Sequence, residues 1–337
     1  MISRRRFLTG AAIALAPMGA TAYAQEYKAQ QAEKVYWLGY LASGWPDRPD
    51  ERGVIDRFRQ ALRDLGYLEG RNIVIEIRYA EGKLERLPDQ AAELVRSKVD
   101  LIVTGTGRAA LAAKKATQTI PIVMLSSGDA VRQGLAASLA HPGGNVTGLT
   151  VISSELSRKR LGLLRELLPK LSHVGGLWCD NGTALAKQQW AETQAAADVL
   201  GIRLSSLDAR EGREDLSRAF AAAVKQRVQA LLGFDCFFLN RNAVLIAELS
   251  LKHRIPGMCP LREYSQAGGL ISYSASQVDF PRRGANYVDK ILRGAKPVDL
   301  PIEQPTKFDL IINLKTAKAL DLTIPPSLLQ RADEVIQ

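Results

Sequence analysis

The chain has 337 residues, with 45 basic and 35 acidic side chains for a net charge of +10. Apolar residues make up 46% and charged residues 24%, which excludes a disordered chain, a collagen and a coiled-coil rod and leaves length for two domains. Three cysteines (Cys179, Cys236, Cys259) and three histidines exclude a disulfide scaffold and a histidine-rich metal centre; the scattered basic excess argues against a nucleic-acid partner.

Residues 1–24 read as an export signal. Arg4, Arg5 and Arg6 are followed by an apolar stretch from Phe7 to Ala20, and Ala22-Tyr23-Ala24 supplies the small residues of a cleavage site. The string Ser3-Arg4-Arg5-Arg6-Phe7-Leu8 is similar to the twin-arginine motif. The expected location is the periplasm, with cleavage after Ala24.

Residues 34–41 then read as a buried strand. Residues 51–65 carry Ile55, Phe58, Leu62 and Leu65 at helical spacing, and Gly66 stands at the C-cap. Strands over 72–79, 100–104 and 120–125 alternate with helices over 84–98 and 108–117. This order predicts a parallel sheet covered by helices. The same order returns: strands over 173–178, 202–207 and 230–234, and helices over 184–200, 215–225 and 240–252. Ile255-Pro256 opens the next strand. Gly66 recurs as Gly201 and Pro121 as Pro256 at one common offset, and "Ala80-Glu81-Gly82" recurs as "Arg210-Glu211-Gly212".

The remaining pieces are strands over 146–150, 270–273 and 308–312 and a helix over 279–293. The economical arrangement has the chain cross three times between two α/β lobes of the same Rossmann-like topology. The N-terminal lobe would take 34–147 plus 275–298, and the C-terminal lobe 148–274 plus 299–335. Such a hinge lets two rigid bodies close on a ligand.

In open parallel sheets ligands bind at the carboxyl ends of strands. Those ends nominate Ser43, Gly44, Thr104, Thr106, Ser127 and Asp129 in the first lobe. In the second they nominate Asp180, Asp235 and Phe237, with Tyr273 near a crossover. Helix N-termini and hydroxyls suit a carboxylate, Asp129 or Asp235 suits an ammonium, and the aromatic rings suit an apolar group. Each of these loops reads equally as a set of plain N-caps. Gly105-Thr106-Gly107-Arg108-Ala109-Ala110 also satisfies a dinucleotide fingerprint, the outline of an exported NAD-type oxidoreductase. It sits on the third strand rather than the first, and no proton relay accompanies it. No G-x-S-x-G elbow is present either.

The stretches "FRQALRDLGYLEGRNIVIEIRYAEGKLERLPDQAAELV" (58–95), "LAHPGGNVTGLT" (139–150), "LSRKRLGLLRELLP" (156–169) and "PVDLPIEQPTKFDLIINLKTAKALDLTIPPSLLQRADEVI" (297–336) resemble the tryptophan/tyrosine-type substrate-binding proteins of ABC transporters. The resemblance implies a type I periplasmic binding protein fold, a small-molecule ligand and an ABC permease as membrane partner. The expectation is a monomeric solute-binding component of an importer, not an enzyme, with no cofactor or metal. An amino acid or small carboxylate is the expected ligand; a ligand-sensing module for a membrane receptor is the alternative. Relatives carry Pro where this chain has Ala130 and Cys236, and a Trp-Asn-Pro turn where it has Trp178-Cys179-Asp180. Whether Cys179 and Cys236 pair is open at this level.

Overall fold

The computed structural model describes residues 34–151, 153–179, 184–210, 212–276 and 279–337. The expected export signal, residues 1–24, lies outside them. The first half of the chain runs β1 (Tyr36–Ala42), α1 (Pro49–Asp64), β2 (Ile73–Tyr79), α2 (Leu87–Arg96), β3 (Leu101–Thr104), α3 (Gly107–Ala116), β4 (Ile122–Met124) and β5 (Val146–Gly148). Its five strands form one all-parallel sheet in the order β2-β1-β3-β4-β5. All four residues of β3 are buried, as a parallel strand covered on both faces requires. On one face the stripe Ile55, Phe58 and Leu62 of α1 packs into the core; on the other, Leu87 and Leu94 of α2 and Ala109 and Ala113 of α3 do so.

The second half begins with α4 (Ser153–Leu167) and continues with β6 (His173–Trp178), α5 (Ala184–Leu200), β7 (Arg203–Asp208), α6 (Gly212–Lys225), β8 (Ala230–Gly233), α7 (Phe237–Arg241) and α8 (Ala243–Lys252). Then come β9 (Gly257–Cys259), α9 (Arg262–Gln266), β10 (Ile271–Ala275), α10 (Phe280–Leu292), β11 (Phe308–Asn313), α11 (Leu314–Ala319), α12 (Pro326–Arg331) and β12 (Glu334–Ile336). The second sheet has the order β12-β11-β10-β9-β8-β6-β7, with β10 and β11 antiparallel. The run β7-β6-β8-β9-β10 repeats the order of the first sheet, so the two halves are lobes of one topology.

Helix α10 follows β10 in sequence but returns to the first lobe. Its Tyr287, Val288 and Ile291 share a core with Phe58 and Leu62. The chain stays there through Glu303. Ile302 packs with Val146, its amide bonds Leu139 O at 2.7 Å, and Glu303 bridges to Leu149. Only then does β11 join the second sheet. Tyr273, on β10, packs against the cores of both lobes.

Local details differ from expectation for identifiable reasons. The helix expected over 240–252 is two, α7 and α8, broken at Asn242, which leaves helical geometry (φ −104°) and donates its side-chain amide to Phe238 O at 2.8 Å. The helix expected over 84–98 opens with a 3-10 turn at Leu84–Arg86, and Pro88 sits in the first turn of the α-helix proper, where its missing N–H costs nothing. Helix α4 has no counterpart among the expected elements.

Candidate functional site

Strand order reverses between β1 and β3 in the first sheet and between β6 and β8 in the second. Loops that leave neighbouring strands in opposite directions open a crevice there. In the first lobe, Ser43 and Thr106 occupy the two sides of that point. Their hydroxyl oxygens lie 2.8 Å apart, and Thr106 caps α3 by accepting from the Ala109 amide. Thr104 ends β3 fully buried, and its hydroxyl has no partner; nor has the buried Tyr40 hydroxyl. Burial raises the Tyr40 phenol well above its ordinary range, and the nearby Glu51 carboxylate adds to the shift. Gly44 makes room for that carboxylate: a Cβ there would meet Glu51 Oε2 at 2.3 Å.

Ser127 is buried and bonds the Gly128 carbonyl at 2.9 Å and the Thr150 hydroxyl at 3.3 Å. It holds the β4 loop against the segment that follows β5. Asp129 accepts from the Arg132 amide at 3.1 Å and pairs with the Arg132 side chain at 3.2 Å. It therefore closes its own turn, a role the sequence did not demand of it.

The second lobe uses other chemistry. Cys179 and Cys236 form a disulfide, with Cα atoms 6.5 Å apart, that joins the loops leaving β6 and β8. Cys236 is also the N-cap of α7, accepting from the Leu239 amide. Asp235, between β8 and the disulfide, accepts from Asn240 Nδ2 at 2.8 Å, while Gln189 Oε1 accepts from its amide at 3.3 Å. The Asn240 side-chain oxygen is buried without a partner. Cys259 is a buried free thiol, pushed up to about 12 by burial against the lowering effect of Arg160. Asp180 lies outside the described residues, as does the Phe237 side chain.

Two residues that sequence reasoning did not nominate stand out. Arg160 of α4 is 1% exposed and donates through Nε to Tyr273 O at 2.7 Å. Burial lowers its guanidinium to about 10, and Asp235, Cys259 and Tyr273 oppose the shift, so it stays charged at neutral pH. The available signal was a basic residue on the stripe of α4 that buries Leu161, Leu164 and Leu167. The second residue, Arg241, ends α7 and lies over the Trp45 ring at 3.8 Å from its centroid. Trp45 follows β1, so this contact joins the carboxyl edges of the two sheets. Gly82 (φ +73°) lets the Trp45 ring lie flat: a Cβ there would come within 2.1 Å of it. Arg132 makes a second crossing to Glu192 of α5, at 3.6 Å. The two edges therefore face one another across a cleft.

Thus the structure brings Ser43, Gly44, Thr104 and Thr106 together on one side of that cleft, with Ser127 and Asp129 in the next loop. Asp235 stands on the other side. Tyr273 lies where the chain passes between the lobes, and its ring stacks on Phe308 with centroids 5.9 Å apart. Behind it lies a separate cavity of about 390 Å³, lined by Leu156, Lys159, Gly162, Leu163 and Arg331.

Residues 50–336 match the model of the ABC transporter substrate binding protein family. The chain is 27% identical over 275 residues to a tyrosine-binding protein of Clostridioides difficile (strain R20291), covering 79% of this chain and 75% of that one. Its fold is similar to that of an ABC domain from Streptococcus pneumonia in complex with L-Trp, with a TM-score of 0.81, 23% identity, and coverage of 90% of this chain and 100% of that one. It is similar also to the ligand-free, open form of a substrate binding protein with adhesive properties from Clostridium difficile, at a TM-score of 0.69, 22% identity and the same coverage. Two lobes of one strand order, three crossings between them and a family match across most of the chain agree, and this chain belongs to the ABC transporter substrate binding proteins, with the type I periplasmic binding protein fold.

Proposed function

We propose that the protein captures an amino acid in the cleft between its two lobes, outside the cytoplasm, and delivers it to an ABC permease. The observation that carries this reading is the set of buried, unpartnered polar atoms at the facing carboxyl edges: Tyr40 Oη and Thr104 Oγ1 on the first sheet, and Arg160 Nη1 and Asn240 Oδ1 on the second. Buried polar groups are nearly always hydrogen-bonded, and leaving one unmade costs roughly 1–3 kcal/mol. Their position beside Asp235 and Thr106 supports the reading that a polar ligand binds there. Aromatic amino acids are the first class to test, because the relatives include a tyrosine-binding protein and a domain in complex with L-Trp. Trp45 at the cleft rim supplies aromatic surface for such a side chain.

Binding by two lobes also explains how a permease could distinguish loaded from empty protein. A ligand touching both edges favours the closed arrangement by its differential affinity for it. The three crossings of the chain are the places where the lobes can rotate. The test is a thermal-shift panel of the twenty amino acids and small carboxylates. A cognate amino acid at one hundred times its Kd stabilises the fold by about 2.7 kcal/mol. A panel in which only non-amino-acid carboxylates shift the melting temperature would refute the amino-acid assignment.

A further inference from the structure

Arg160 is the residue that the fold alone does not account for. A guanidinium is costly to bury, and the cost is offset where a carboxylate pairs with it. Here Nε reaches a backbone carbonyl, Nη1 is sealed from solvent without a partner, and no ion pair forms among the described residues. The side chain lies under the carboxyl edge of three adjacent strands. Tyr273 belongs to β10, Cys259 ends β9 and Asp235 follows β8, and the charge of Arg160 is felt at all three. Asp235 is thus near enough to support the cation yet does not bond it. Its carboxylate holds Asn240 Nδ2 instead, and the Asn240 oxygen beside it is also unpartnered. A buried guanidinium with an open donor, held on β10, and a carboxylate with an unpartnered amide oxygen beside it, after β8, therefore belong to the same sheet edge with no bond between them. An α-amino acid carries the complementary pair of charges on a single carbon.

We propose that Arg160 anchors the ligand's carboxylate while Asp235 and Asn240 take its ammonium, so that the second lobe alone reads the zwitterion. This rests on the amino-acid reading above and adds the charged contacts that select the class. It leaves the hydroxyl-lined first lobe to meet the rest of the ligand. Removing either charge from the ligand strands a buried partner, which is the costly kind of mismatch.

The experiment is calorimetric titration of the protein with L-tyrosine, L-tryptophan and L-leucine, each paired with its decarboxylated amine: tyramine, tryptamine and isoamylamine. On the wild type the amine should bind about 100-fold more weakly than the amino acid that binds best, the loss expected for one charge-assisted contact. This arm needs no variant. In Arg160→Gln, which keeps an amide donor for the Tyr273 carbonyl, amino-acid affinity should fall to the level of the amine while amine affinity holds or improves. The unliganded melting temperature should match or exceed that of the wild type, because a neutral amide is cheaper to bury. A purely structural arginine would lower that temperature and leave the ratio of amino acid to amine unchanged. An amine within about 3-fold of its amino acid on the wild type, or a ratio preserved in Arg160→Gln, would overturn this assignment alone. Failure of all three amino acids to bind the wild type would overturn the amino-acid reading and this one with it.

Discussion

The two carboxyl edges stand on the same strand order and are built from different chemistry. The first is built on hydroxyls: Ser43 meets Thr106, Ser127 meets Thr150, and a hydroxyl caps α3, with the charges of Glu51 and of the Asp129–Arg132 pair beside them. The second is charged and covalently tied: a disulfide spans β6 and β8, and Arg160 and Asp235 bring opposite charges beneath the edge. Shared topology sets where a ligand can sit, and the loops decide what it can be. Duplicated lobes need not contribute equally; the selective contacts proposed here are concentrated on the second.

Covalent asymmetry gives the largest expected effect. The disulfide closes a loop between positions 57 apart in sequence, so Cys179→Ser with Cys236→Ser should destabilise the second lobe by about 4 kcal/mol in the chain-entropy account. Hydrogen exchange checks this: faster exchange should concentrate in β6, β8 and α7, with β1 and β3 little changed. Reduction of the wild type should reproduce the pattern, and equal loosening of both lobes would remove the distinction.

Charge gives the next. Asp235→Ala takes away the acceptor of Asn240 and a carboxylate that supports the charge of Arg160, and should cost about 2 kcal/mol in chemical denaturation, together with most ligand affinity. Thr106→Ala in the hydroxyl-built edge removes an N-cap and should cost about 1 kcal/mol, with a smaller effect on affinity. If Thr106→Ala abolished binding and Asp235→Ala spared it, the order of importance of the two edges would be reversed.

The smallest effect belongs to the contacts between the edges. Arg241→Ala removes a cation–π contact worth about 0.5–1 kcal/mol at an exposed site, and the Arg132–Glu192 pair is worth less than about 1 kcal/mol. Neither should change the melting temperature measurably. Small-angle scattering of unliganded Arg241→Ala should show a shift toward a more extended form, since the contact exists only with the lobes together.

Much of this was legible in the residues. Repeated punctuation, Gly66 with Gly201 and Pro121 with Pro256, announced two lobes, and apolar strands ending in Ser, Thr and Asp located the two edges. The roles inside the edges were less legible. Asp129 is nominated as a ligand contact because it ends an apolar strand, and its local bond to the Arg132 amide is not encoded in that pattern. Tyr273 was placed near a crossover correctly, but its ring packs on Phe308, a residue far along the chain. The pairing of Cys179 with Cys236 depends on which strands are neighbours, and spacing does not encode that. Arg160 was invisible for a related reason. Its helix was not read from periodicity, and its buried setting comes from β8, β9 and β10, all of which follow it by many residues.

The most direct measurement is a crystal structure of the protein with the amino acid that gives the largest thermal shift. The account predicts that ligand between the lobes, with its ammonium on Asp235 and its body against Thr104 and Thr106. A ligand bound instead in the cavity behind Tyr273, beside Lys159 and Arg331, or touching one lobe only, would contradict it.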